Sequence, residues 1–301
     1  MISSLTPSDQ QFINNLGAIS QRLSTDELQI SSGVRMNQVS DYPDQISQLL
    51  EARASLSTSQ QISANLGNVT TEVNGGEQAL ETTVSLWDQV QTLGAEGVTG
   101  TTTAATRQQL VQQLQSIEQE MVGLANTSVS GRYIFSGDSD QTQPYTYDPT
   151  QTPPVSAYQG TASTRVAQHP DGSTFPIALT AQQIFDSSDP TTNAFNALNT
   201  LITDFQNNDT TAIQTDNEGL AGIGDYLNQQ LAFYGTTQDT ITSATSYAQT
   251  QQTQLQAQIS NLQDADVATA ITDMTEATTQ EQAALESQGR LPRETLFDYL
   301  G

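Results

Sequence analysis

The residues of this sequence able to do chemistry are few, and their spacing fits no catalytic plan. The single histidine, His169, lies in Gln168-His169-Pro170-Asp171-Gly172. Pro-Asp-Gly is a strong turn signal, so His169 is expected on a surface turn rather than as a general base. A zinc site needs several His or Cys ligands, and the chain has one His and no Cys. The pairs Asp186 and Asp189, and Asp264 and Asp266, could in principle act as acid and base. With no pattern of an organised apolar pocket around them, they read as helix caps and loop residues. Asp138 and Asp140 lack the alternating ligands and closing Glu of a calcium loop. The glycine-rich stretch 94–100 has neither the lysine nor the spacing of a phosphate cradle. Asn68, Asn126 and Asn208 match the glycan-acceptor pattern, which is too short to carry weight alone. The expectation is no enzyme, no metal and no cofactor.

Composition narrows the partners. Acidic residues number 33 against 8 basic ones, for a formal charge of -25, and every basic residue is an arginine. That balance repels phosphate backbones and anionic lipid, which argues against nucleic-acid binding and membrane association. No apolar run approaches the ~20 residues that cross a bilayer, so no membrane insertion is expected. The first residues lack the charged and apolar regions of a cleavable signal peptide, so any export is expected to use another route. The lack of cysteine fits secretion without oxidative folding. Only 35% of residues are apolar, which favours narrow helical seams over one large core.

The seams are visible in the spacing. Phe12, Leu16, Ile19, Leu23, Asp26 and Ile30 alternate steps of four and three, the mark of a helix with a thin apolar stripe. Asp26 interrupts it, and the cost of burying a lone carboxylate favours a solvated position. Gly33 offers a stop. Ser40-Asp41-Tyr42-Pro43-Asp44 reads as a turn and helix start, with Asp41 as cap and Pro43 in the first turn. A long helix follows through Leu49, Leu56, Ile62, Leu66, Val69, Val73, Leu80, Val84 and Trp87. Gly75 and Gly76 form a weak point inside it. A Gly and Thr loop is expected over residues 94–103. A returning helix then carries Leu110, Leu114, Ile117, Met121 and Leu124. Short runs at Tyr133-Ile134-Phe135, 155–158, 164–167 and 175–179 suggest strands. Helical spacing resumes at Phe195, Leu198, Ile202 and Phe205. A final long segment holds Leu220, Ile223, Leu227, Leu231, Ile241, Leu255, Ile259, Leu262, Val267, Ile271, Met274 and Leu285. The expected fold is mainly α: a long antiparallel helical bundle or coiled coil built from both termini, with a small β-containing outer domain. The expected divisions are a helical assembly segment at 1–42, a helical rod at 43–130, the β-containing part at 131–190, the rod again at 191–240 and a second assembly segment at 241–301.

Ile30-Ser31-Ser32-Gly33-Val34-Arg35-Met36-Asn37, then Ser40-Asp41-Tyr42-Pro43 and Arg53, resembles the N-terminal signature of the bacterial flagellin superfamily. Residues 266–275 and Gln282-Ala283-Ala284-Leu285 resemble its C-terminal helix. Gly131-Arg132-Tyr133-Ile134-Phe135-Ser136-Gly137 is similar to the motif at which the hook-filament junction branch of that superfamily leaves its helices for an outer domain. Ile184-Phe185-Asp186-Ser187, the ending Leu296-Phe297-Asp298-Tyr299-Leu300 and Pro43 resemble the same branch. Tyr42 departs from it, a second Asp being usual there, and so does the charged Arg293-Glu294-Thr295.

The resemblance implies an extracellular structural adaptor of the bacterial flagellum, exported by the flagellar type III apparatus and bound by a dedicated chaperone. Its implied partners are the first hook-associated protein, flagellin and neighbouring copies of itself. Residues expected to carry assembly are Phe12, Leu16, Ile19, Leu23, Ile30, Leu255, Ile259, Leu262, Ile271, Met274, Leu285, Leu296, Phe297, Tyr299 and Leu300. A divergent filament flagellin and a secreted adhesive rod are the alternative readings.

Overall fold

A computed structural model describes residues 7–36, 42–99 and 102–290. Asn37, Ser40 and Asp41 of the N-terminal motif, and Leu296, Phe297, Tyr299 and Leu300 of the C-terminal ending, lie outside the described residues. The fold is mainly α, with seven helices and two small antiparallel sheets among the described residues. The chain divides into two compact units, one of residues 1–58 and 251–301, the other of residues 59–250.

In the first unit, α1 (Pro7–Ser32) packs along α7 (Val267–Gly289). The two run antiparallel, since the Gln288 amide donates to Asp9 near one end while Val34 bridges Asp264 at the other. Gly33 ends α1 at φ +69°, a left-handed conformation glycine adopts without a Cβ penalty. Pro43 opens α2 (Pro43–Val98), where its missing N–H costs nothing. The final segment is not one continuous helix: α6 (Thr210–Gln263) stops, and Asp266 caps α7 by accepting from the Ala268 and Thr269 amides at 3.1 Å each. A carboxylate in that position also meets the positive end of the α7 dipole.

The second unit holds the large core. Trp87, Leu80, Val73 and Leu66 of α2 are buried with Leu114 and Met121 of α3 (Ala104–Ala125) and Leu220 and Leu227 of α6. The Trp87 indole donates to the Leu220 carbonyl at 2.8 Å, which satisfies the one polar atom of a fully buried ring. α2 continues through Gly75 and Gly76, as its spacing required. These glycines admit neighbours: a Cβ on Gly76 would enter the Tyr234 ring, and one on Gly75 would lie 2.8 Å from Val129. The loop expected over 94–103 is shorter than composition suggested, because α2 runs on to Val98. Gly94 and Gly97 are sites of close packing, against Asn217 and the Phe205 ring. The helix ends where the Thr99 and Thr102 hydroxyls donate to the Glu96 carbonyl at 2.9 and 2.8 Å.

The strands are shorter than expected, and one of the expected runs, 155–158, forms none. β1 (Ser128–Val129) pairs with β2 (Arg132–Tyr133), and β3 (Val166–Gln168) with β4 (Thr174–Pro176). Tyr147 and Val155 form only an isolated bridge. The backbone between these pairs is held instead by side chains and loop hydrogen bonds around Phe135, Tyr145 and Tyr158. Two short helices, α4 (Ala181–Phe185) and α5 (Ala194–Asn207), complete the unit.

Candidate assembly surface

The N-terminal motif and the end of α6 meet in a small clasp inside the first unit. Gly33 accepts the Ala265 amide at 2.9 Å, and the Arg35 amide donates to the Gln263 carbonyl at 2.7 Å. The Arg35 guanidinium donates to the Leu262 carbonyl at 3.0 Å and to Gln45 Oε1 at 2.9 Å, and lies 4.8 Å from the centre of the Tyr42 ring. Arg53 donates to Gln263 Oε1. Two of the chain's 8 basic residues thus hold the last turn of α6, where unpaired carbonyls and the negative end of the helix dipole attract cations. Of the motif residues expected from sequence, Gly33, Arg35 and Arg53 converge here. Ser32 turns back to the Leu28 carbonyl at 2.6 Å.

The α1 seam faces α7. Phe12, Leu16, Ile19, Leu23 and Ile30 are all half-buried and none is fully covered. Asp26 corrects the sequence reading. It is half-buried rather than solvated, with Oδ2 out of reach of any hydrogen-bond partner. Its pKa is raised by burial and by the Asp273 carboxylate of α7, with Arg22 opposing the shift. The seam meets the chain's own C-terminal helix, and this brings Asp26 against another acid. Small residues, Ala270 and Ala277, form the buried contact face of α7, and Met274 is half-buried beside them. Leu255, Ile259 and Leu262 of α6 are also half-buried.

Two residues of the expected seam point away. Ile271 is 48% exposed and Leu285 51%. Val267, which the spacing of the final segment includes, is exposed as well, and three further apolar side chains in the same unit, Ile13, Leu28 and Leu50, are exposed and lie outside the stripes read from the sequence. The first unit therefore closes a thin seam on itself and still presents apolar side chains on α1, α2 and α7.

In the second unit, the motif at 131–137 threads an apolar core through a tight bend. Ser130 and Gly131 both take positive φ between β1 and β2, at 53° and 76°, the geometry of a two-residue hairpin turn. Ile134 and Phe135 are buried, and the Phe135 carbonyl accepts from the Ala181 amide at 2.8 Å and the Tyr158 hydroxyl at 3.0 Å. Gly137, at φ +65°, lies so close to the Thr161 and Ser163 carbonyls that a side chain cannot fit. Arg132 pairs with Asp140 at 2.6 Å, and Tyr133 belongs to β2.

The residues weighed for chemistry fall into structural places. His169 sits at the β3–β4 turn, where its Nδ1 lies 2.9 Å from Asp171. Asp189 caps a turn by accepting from Thr191, and Asp264 accepts from the Ser260 hydroxyl. Among the described residues no group of three or more His, Cys, Asp or Glu side chains could hold a metal ion, and no helix is long and apolar enough to cross a membrane.

Residues 2–140 match the bacterial flagellin N-terminal helical region, and residues 223–300 match the bacterial flagellin C-terminal helical region. No curated protein matches the sequence. The fold is similar to that of a Vibrio parahaemolyticus protein assigned as flagellar hook-associated, with a TM-score of 0.65 at 18% identity over 74% of this chain and 100% of that one. It is similar to Xanthomonas campestris FlgL, with a TM-score of 0.60 at 14% identity over 69% and 99%. The flagellar junction protein FlgL of Legionella pneumophila gives a TM-score of 0.54 at 10% identity over 72% and 98%. With both terminal helical regions matched, over more than two thirds of its length together, the chain belongs to the bacterial flagellin family and is a structural component of the flagellum.

Proposed function

We propose that the chain is the adaptor that joins the hook, through the first hook-associated protein, to the flagellin filament. One observation carries the reading: after α1 and α7 have packed together, Ile13, Leu28, Ile271 and Leu285 remain about half exposed. Apolar side chains left out on both terminal helices fit neighbouring subunits, which would stabilise the joint by roughly 25 cal/mol for each Å² of apolar surface removed from water. The naming of the similar structures as hook-associated or junction proteins supports the same choice. In this reading residues 1–42 and 241–301 are assembly segments, 43–130 and 191–240 form the rod, and 131–190 form the outer domain. Export through the type III apparatus with a chaperone, and contacts with flagellin and with sister copies, follow from the same assignment. A junction protein works mechanically, without turnover or cofactor.

Deleting the gene tests the assignment. Cells should carry hooks without filaments and release unpolymerised flagellin into the medium. Intact filaments would overturn the junction role, and a product present at filament abundance in the parent strain would mark a filament subunit instead.

A further inference from the structure

The buried face of α3 carries an acid. Leu114, Ile117, Met121 and Val122 line that face as a core helix requires, and Glu118 lies among them, 1% exposed. Neither of its carboxylate oxygens has a hydrogen-bond partner. The side chains about it come from α5 and from the loop after β2: Tyr147, Thr152, Asn199, Ile202 and Gln206, none of them basic. Other acids of this unit are compensated, Glu72 by Arg165 at 2.8 Å and Asp140 by Arg132. An ionised carboxylate without donors is among the costliest groups to bury, whereas the neutral acid is buried as readily as other uncharged polar groups.

A second acid pair stands at the other end of the same helix. Asp204, in the last turn of α5, faces Asp216 of α6. Asp216 is half-buried, and its Oδ2 has no donor in reach. Two carboxylates side by side form a hydrogen bond only by sharing a proton. We propose that α5 is held in place by protons: it packs firmly on α3 while Glu118 is neutral and while Asp204 and Asp216 share a hydrogen, and it loosens when these protons are lost. Loosening uncovers the apolar face of α5, which includes Phe195, Leu198, Leu201 and Phe205. The device is independent of the assembly role, and neither stands or falls with the other.

Burial pushes the Glu118 carboxyl up to about 7. Burial, and then Asp204, raises Asp216. The titratable groups lining the same spaces as Glu118 are Tyr147, itself raised by burial and by Glu118, and Asp186, whose Oδ1 accepts from the Asn193 amide at 2.9 Å. Both are acids, so neither favours an ionised Glu118. The docked helix keeps a proton that the released helix gives up. Docking is therefore strongest below the ordinary glutamate value of 4.5, weakens as the pH rises towards 7 and levels off above it. Glu118 alone makes the opening constant about tenfold larger at pH 8 than at pH 6.

The test is native-state amide exchange of the full chain, parent and Glu118→Gln, at pH 5, 6, 7 and 8. The intrinsic rise of exchange with pH cancels in the ratio of parent to variant. At Leu201 and Phe205 that ratio should grow about tenfold from pH 6 to pH 8, while around Trp87 it stays level. Glu118→Met, also unbranched and uncharged, gives the same reading if Glu118→Gln does not fold. Asp216→Asn can donate to Asp204 without a shared proton, so its ratio should grow at lower pH, between pH 5 and pH 6. A ratio flat across the whole range at either position, or equal growth around Trp87, would overturn the proposal.

Discussion

At Gly67 and Gly97, two positions of one helix, the same substitution should have opposite signs. Gly67 is exposed on α2 with nothing within 4 Å of an added Cβ, whereas at Gly97 the methyl would run into the buried ring of Phe205. Alanine improves a helix by about 0.8–1 kcal/mol over glycine. Overpacking a filled core costs about 1–3 kcal/mol and wins where the ring has no room to move. Gly67→Ala should therefore raise the urea midpoint of the second unit, and Gly97→Ala should lower it. A stabilised Gly97→Ala variant would reject the packing account. The pair also shows how far the sequence could be read. Heptad spacing on either side of Gly75 and Gly76 kept α2 whole through two glycines. Beyond Gly94 no such spacing continued, and a glycine needed for close approach looks the same as one in a loop until the approaching ring is known.

Among the elements, the apolar stripe of α1 was legible from its four-three steps and a bundle built from both termini was expected, but the residues that cover the stripe were not legible. They belong to α7, more than 200 residues away in sequence, and its buried face is built from Ala270 and Ala277, which periodicity of large apolar residues passes over. The same blindness hid the fate of Asp26, since its neighbour Asp273 belongs to the distant helix. The clasp around Arg35 was marked only through the family signature. Its mechanics yield a prediction: Arg35→Ala removes hydrogen bonds from a charged group to Leu262 and Gln45, contacts of a kind worth about 1.5–3 kcal/mol. The amides of Arg35 and Ala265, which bond to Gln263 and Gly33, should then exchange with solvent about 10–100 times faster, since each 1.4 kcal/mol of opening free energy is a factor of ten. Amides around Trp87 should keep their protection. Arg35→Lys should rescue only in part, because an ammonium can donate to the same acceptors but lacks the planar face that lies over the Tyr42 ring. Unchanged exchange at Arg35 and Ala265 in the alanine variant would show that the backbone bridge stands without the side chain.

For the molecule as a whole, the question is whether apolar residues of the terminal helices serve the fold or the assembly, and exposure separates the two. Leu16 is half-buried in the α1 seam, whereas Ile271 and Leu285 lie about half exposed on α7. An aspartate at position 16 puts a charge into a packed seam that already contains the poorly tolerated Asp26, so Leu16→Asp should weaken the first unit of the isolated chain and also block incorporation. Ile271→Asp and Leu285→Asp add charge where water already reaches, and surface changes of this kind usually fall within about 0.5 kcal/mol. They should leave the isolated chain's stability and secretion nearly unchanged while preventing its entry into the flagellum, because a buried unpaired carboxylate between subunits would cost several kcal/mol at every repeat of the contact. Secreted amounts in culture medium, thermal unfolding of the purified chains and microscopy of the complemented deletion strain together read the three quantities. Normal filaments from both α7 variants would mean that these exposed side chains face solvent in the finished structure, and the apolar surface offered to neighbours would then have to be sought on Ile13, Leu28 and Leu50.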